Sequence, residues 1–273
     1  MKKFALTSMM FAALAAGQGK ESIEARGKRV VDEAVAALGG QKFLSMRNRI
    51  ESGRAYSFFH DQLSGLSTAR IYTEYTTVAL DKTGVDLGVL EREGFGKNEE
   101  SYVLFNSQGA WEVTFRGPKP LEKDRVQRYH DTTMSNLFYI LRQRLHEPGL
   151  VFESRGSEVI ENVPVELVDI TDSQNRVVSV AFNHSTKLPV RQSWVWRDPE
   201  TKERNEETTR FSRYRSSDGV QWPQQINRER NGEKIFEIFS ESVLINQDFP
   251  EDLFATPNGP ATKPGMKQPT KKK

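Results

Sequence analysis

Residues 176–196 read RVVSVAFNHSTKLPVRQSWVW, and this stretch decides the fold class. Val178, Val180 and Phe182 fall on one side of an extended chain, with Ser179 and Ala181 on the other. After the turn-forming Asn183-His184-Ser185-Thr186, the same period of two resumes through Val190, Trp194 and Trp196. Strict alternation of this kind marks a strand with one buried and one solvated face, and two such runs joined by a short polar turn mark an antiparallel pair.

Working outward, the period of two recurs on both sides. Toward the N-terminus it predicts strands at Arg49 to Phe59, Thr68 to Thr76, Leu87 to Glu93, Ser101 to Phe105, Trp111 to Phe115, Leu150 to Ser154 and Val163 to Thr171. Toward the C-terminus it predicts Glu206 to Tyr214, Val220 to Arg228 and Lys234 to Val243. Asp81-Lys82-Thr83-Gly84, Asn106-Ser107-Gln108-Gly109, Asp218-Gly219 and Asn231-Gly232 supply turns, the last two as tight hairpins. The expected fold is mainly β: a curved antiparallel sheet of about eleven strands, too many to stay open and flat, forming an incomplete barrel.

Two helical segments interrupt this pattern. Ser22 caps an apolar-periodic run to Leu38 that Gly39-Gly40 stops, with a short turn from Gln41 to Met46 after it. From Leu121 to His146, Met134, Leu137, Phe138, Leu141 and Leu145 form one stripe behind a Thr132 cap, closed by Pro148-Gly149. These helices are expected to cover the open apolar face of the sheet.

The ends are different. Lys2 and Lys3 precede an uncharged apolar run, Phe4 to Ala16, ending in small residues, which reads as an export signal over residues 1–17 with cleavage after Ala15 or Ala16. Its removal leaves as many basic as acidic residues. Residues 258–273 read as a disordered basic tail; from Thr256 onward there are five lysines and four prolines and no acid. The body between, residues 18–257, is then mildly acidic, which argues against a nucleic-acid partner. The tail offers transient contact with anionic lipid. The expected location is the periplasm, without a lipid anchor, since the chain has no cysteine.

Composition narrows the chemistry. Of 273 residues 36% are hydrophobic and 28% charged, so there is ample core, while zero cysteines remove thiol nucleophiles, disulfides and zinc–thiolate sites. His60, His130, His146 and His184 lack metal-pair spacing, and no metal is expected. Gly94-Phe95-Gly96 reads as a turn rather than a dinucleotide fingerprint, and no cofactor motif occurs. Acid pairs such as Glu99-Glu100 read as solvated. No reaction is expected. What remains is aromatic: four Trp, 16 Phe and 7 Tyr, many alternating along strands. They either fill the barrel or line it. The expected ligand contacts are Leu104, Trp111, Leu137, Leu141, Trp194, Phe211, Trp222 and Phe239.

The chain also resembles a known superfamily. Gly27-Lys28-Arg29-Val30-Val31-Asp32-Glu33-Ala34 through Ala37-Leu38-Gly39-Gly40, then Phe43-Leu44 and an Arg-containing first strand, resembles the entry helix of the periplasmic outer-membrane lipoprotein-sorting carriers (LolA/LolB-like, with LppX-type cousins). So do Phe182 to Arg191, Phe211-Ser212-Arg213-Tyr214-Arg215, Asp218 to Pro223, Phe249-Pro250 and Leu253-Phe254. The resemblance implies a helix-lidded half-barrel holding lipid acyl chains. This chain departs by a polar connection near Glu91 to Ser101 and by its basic tail. The carriers' lid-locking arginine is not assigned between Arg49 and Arg54. A carrier of a lipid, acyl chain or other hydrophobic ligand is the leading expectation. Beside it stand an envelope protein-interaction module with a filled barrel and a hydrolase. A void of some hundreds of Å³, an exposed apolar patch and clustered titratable groups separate the three.

Overall fold

The computed structural model describes residues 21–77, 87–198, 201–259 and 264–265. The export segment and the Asp81 to Gly84 turn lie outside the described residues, as does the tail apart from 258–259 and 264–265. Thirteen antiparallel strands form one curved sheet that does not close. In chain order they are β1 (Asn48–Phe59), β2 (Gln62–Tyr75), β3 (Val89–Phe95), β4 (Ser101–Asn106), β5 (Gly109–Thr114), β6 (Gly117–Pro120), β7 (Val151–Ile160), β8 (Val163–Thr171), β9 (Val177–Asn183), β10 (Pro189–Arg197), β11 (Arg204–Ser217), β12 (Val220–Arg230) and β13 (Glu233–Ile245). Their order across the sheet is β6-β5-β4-β3-β2-β1-β13-β12-β11-β10-β9-β8-β7. Each half is a meander of hairpins between sequence neighbours. The halves meet where β1 pairs with β13, Ile50 opposite Leu244 and Ala55 opposite Ile238.

The two edges are therefore β6 and β7, which are consecutive in the chain. The segment joining them has to cross the sheet, and it crosses as the helical lid: α3 (Lys123–Met134), α4 (Leu137–Tyr139) and a π-helical turn (Ile140–Arg144). The lid is not the single helix that the 121–146 stripe predicts. α3 ends at Ser135, and Asn136 rather than Thr132 caps the next turn, accepting a hydrogen bond from the Tyr139 amide at 3.1 Å. The backbone freed at the break is taken by Gln192 of β10: its Oε1 accepts from Leu137 N at 2.8 Å and its Nε2 donates to Ser135 O at 3.2 Å.

Further bonds pin the lid to both halves of the sheet. Tyr139 Oη donates to Leu87 O (2.8 Å) and Gln143 Nε2 to Gly88 O (2.7 Å) on one side. On the other, the buried Arg144 donates to Met134 O and Asp172 Oδ2, both at 2.8 Å. Its charge is matched by Asp172 and Glu147; against the opposing effect of burial, Arg144 and Arg176, the latter 2.7 Å away, hold the Asp172 carboxyl below its ordinary range.

α1 (Ile23–Leu38) and α2 (Gln41–Leu44) cover the rest of the same face. Ser22 caps α1 by accepting from Ala25 N, and Gly39 ends it at φ 126°. Val31, Leu38, Phe43, Leu137 and Leu141 pack on Val168, Ile170, Val178, Val180 and Phe182 as the main core. Gly27 lets α1 approach β7: a Cβ there would lie 2.5 Å from Phe152 O. The opposite face of β1 to β5 is covered too. Phe249, Leu253 and Phe254 of the C-terminal segment lie over Ile50, Tyr72, Tyr102, Leu104 and Val113. Among the described residues no helix is long and apolar enough to cross a membrane.

Candidate ligand cavity

Beneath the lid the sheet is not filled. A cavity of about 350 Å³ remains between α3–α4 and the inward residues of β1, β2, β3, β10, β11 and β12. An adjoining space of about 460 Å³ between α3 and β10 shares Arg128, Trp194 and Glu207 with it. Alternation explains the membership: Thr73 and Tyr75, Val89 and Glu91 and Glu93, Thr209 and Phe211, and Trp222 and Ile226 and Arg228 each lie two or four residues apart on one strand and so share a face.

The walls are of two kinds. One is apolar: Phe138 of the lid meets Trp222 (ring centroids 4.7 Å apart) and Phe211 edge-on at 5.1 Å, with Trp194, Ile226 and Val89 beside them. The other is charged. Glu91 and Glu93 lie side by side on one face of β3, and loss of water pushes Glu91 up to about 8, with the neighbouring Glu93 carboxylate adding to the shift. Desolvation raises Glu93 as well. Arg49 faces them. Its Nη1 donates to Tyr75 Oη at 3.1 Å, its Nε lies 3.6 Å from Glu51 Oε2, and its guanidinium sits 4.3 Å over the Trp222 ring. Tyr129 of α3 stacks on Phe105 at 3.6 Å, and burial raises its hydroxyl well above its ordinary range. Glu207 is neutralised by Arg230 (2.7 Å) and Arg228 (3.1 Å).

Of the residues expected to contact a ligand, Trp194, Phe211 and Trp222 form part of this wall. Leu137 and Leu141 are 0% exposed within the main core and are not part of it. Leu104 and Trp111 lie on the other face of the sheet with Tyr102, Val113 and Phe254. Phe239 meets the Tyr56 ring and the Arg213 guanidinium, away from the cavity. Arg49 points inward and Arg54 outward, where it pairs with Glu241 at 3.4 Å. The charged wall escaped the sequence reading, which put Glu91 and Glu93 at the end of a predicted strand, Leu87 to Glu93, and at the start of a polar connection, and gave them no role. β3 runs two residues past the predicted end, to Phe95. The alternation Val89, Glu91, Glu93 was the available signal.

Chemically the site accommodates a molecule with an apolar part and a polar end. Among the described residues no group of three metal-ligating side chains occurs.

No family model matches the chain, and no curated protein matches it in sequence. Solved structures do share its fold. An outer membrane lipoprotein-sorting protein domain from Vibrio parahaemolyticus, by the description of its structure, aligns over 84% of this chain and 96% of its own at TM-score 0.53 and 12% identity. A DUF1329 family protein from Desulfovibrio piger aligns over the same shares at TM-score 0.53 and 11% identity. A LolA superfamily protein from Nitrosomonas europaea aligns over 84% and 97% at TM-score 0.50 and 10% identity.

Proposed function

The chain has a LolA-like fold, and on that premise we propose that it is a non-catalytic carrier or binding protein for a lipid, acyl chain or other hydrophobic ligand. The observation that carries this reading is the lidded cavity of about 350 Å³ with its Phe138, Trp194, Phe211 and Trp222 wall, a volume within the range of small-molecule sites. Burial of an acyl chain there contributes roughly 25 cal/mol per Å² before the costs of association. The Lys2-Lys3 and Phe4 to Ala16 segment supports export to the periplasm, with residues 18–257 as the working domain and the lysine-rich tail as a transient membrane contact. Native mass spectrometry of protein purified from its own envelope tests the reading: a co-purified lipid is expected. A bare protein that also fails to take up fluorescent acyl probes overturns it.

A second reading has its own observation. Phe59, Leu63 and Leu66 at the tip of the β1–β2 hairpin are 70%, 57% and 59% exposed, an apolar patch that supports docking to an envelope protein. A carrier whose probe binding survives Leu63→Ser and Leu66→Ser, with no partner lost from envelope pull-downs, would retire it.

A further inference from the structure

The apolar wall accounts for the ligand's chain; the charged wall asks what its other end is. Three cavity-lining residues carry a buried donor without an acceptor, Tyr129 Oη among them. Trp222 is 2% exposed, lines the cavity, and its indole Nε1 has no hydrogen-bond partner. Arg49 Nε has none either, and Glu51 approaches it only to 3.6 Å. The two groups are adjacent, the guanidinium lying over the indole ring. An N–H has no way to be satisfied except by an acceptor, and a buried one is retained against its desolvation cost only when something fills it. A fixed positive charge beside a free indole N–H selects an acceptor that is itself negative.

The remaining groups agree. Around Glu91 stand Glu93 on its own strand, Thr73 and Tyr75 on β2, Arg49 and Glu51 on β1, Arg125 and Tyr129 on α3, and Arg228 on β12. Glu207 is already paired twice. With its carboxyl raised to about 8, Glu91 is protonated near neutral pH and presents a donor as well as an acceptor. Of the other arginines at the cavity, Arg125 pairs with Glu112 at 3.5 Å, while Arg49 has only the 3.6 Å approach of Glu51.

We propose that the cavity binds an amphiphile with an oxyanionic head group, a carboxylate or phosphate, seated on Arg49 and Trp222 Nε1 beside the Glu91–Glu93 pair. This rests on the carrier reading and narrows its ligand class. Loss of the Glu91 proton then adds a negative charge beside the head group, so release is favoured as pH rises through about 8.

The test is fluorescence titration of the full chain with cis-parinaric acid and with its methyl ester, which share one chain and differ only at the head. The acid is expected to bind roughly tenfold or more tighter than the ester at pH 6.5, as a charge-assisted hydrogen bond supplies. The difference should shrink by pH 9. Decyl phosphate should displace the acid if the site accepts phosphate as well, and fails to do so if it is confined to carboxylates. Trp222→Phe removes the N–H together with part of the apolar wall, so it should weaken both ligands and the acid by several-fold more than the ester, narrowing the ratio between them. Glu91→Gln should remove the pH dependence. Equal binding of acid and ester by the wild-type protein overturns the head-group proposal and leaves the carrier reading standing. Binding of neither overturns both.

Discussion

Replacing Gln192 by methionine keeps side-chain length and volume but deletes the two hydrogen bonds that close the break in the lid. Leu137 N loses its acceptor at 2.8 Å and Ser135 O its donor at 3.2 Å. All three residues are buried, at 4%, 0% and 2% exposure, so water does not readily replace the lost partner. Each orphaned buried group costs about 1–3 kcal/mol, which makes the expected loss roughly 2–6 kcal/mol. For a chain of this size that lowers Tm by roughly 5–20 °C. Urea unfolding followed by tryptophan fluorescence measures it directly, and an unchanged slope would show that the unfolded state is unaltered. Hydrogen exchange at the Leu137 amide should also speed up, since its acceptor is gone. A loss below about 1 kcal/mol would mean that the lid does not depend on β10 for its closure, and the account of the break at Ser135 would be wrong.

Leu141→Ala should cost about 2–5 kcal/mol in the same assay, because the side chain is fully buried in the main core; a cost near 1 kcal/mol would place a void beside it. Gly27→Ala raises helix propensity by about 1 kcal/mol, yet the new Cβ meets the Phe152 carbonyl at 2.5 Å, so a net loss of roughly 1–3 kcal/mol is expected on melting. Glu91 has a folded pKa raised from 4.5 to about 8, so the folded state binds more protons between those values. Stability should therefore fall as pH rises from about 4.5 to about 8, by at most about 1.4 kcal/mol per unit. Glu91→Gln should flatten this slope in urea midpoints taken at pH 5 and pH 8.5, and an unaltered slope would assign the titration elsewhere.

The alternation of Val178, Val180 and Phe182 was legible because packing and periodicity coincide there. The Asp218-Gly219 and Asn231-Gly232 hairpins were legible because glycine takes the second positive φ, 80° and 84°. The turns at His60-Asp61 and Glu161-Asn162 adopt the same positive φ at both positions without glycine, and so carry no equally strong mark. β6 was missed because Gly117-Pro118-Lys119-Pro120 reads as a turn; its prolines are tolerated on an edge strand, where one side needs no donor. β7 runs past its predicted end at Ser154 because Gly156, at φ 91°, absorbs a shift in register. In the cavity, Trp194, Phe211 and Trp222 could be placed by face alone. Glu91 and Glu93 could not, since acids in alternation ordinarily face water. What removes the water is the lid, which owes its place to the separation of β6 and β7 across the sheet.

The central seam has a kinetic consequence. Every other strand pairing joins sequence neighbours and can form as soon as its hairpin exists, whereas β1 must wait for β13, made nearly last. Loop-closure entropy rises only by about 0.6 kcal/mol per doubling of the span, so the delay weighs on rate more than on stability. Until the seam closes, the chain consists of two separate meanders, each with an extra unpaired edge. A chain cut short before Glu233 would keep β1 open permanently, a long strand edge available to any other chain in the same state.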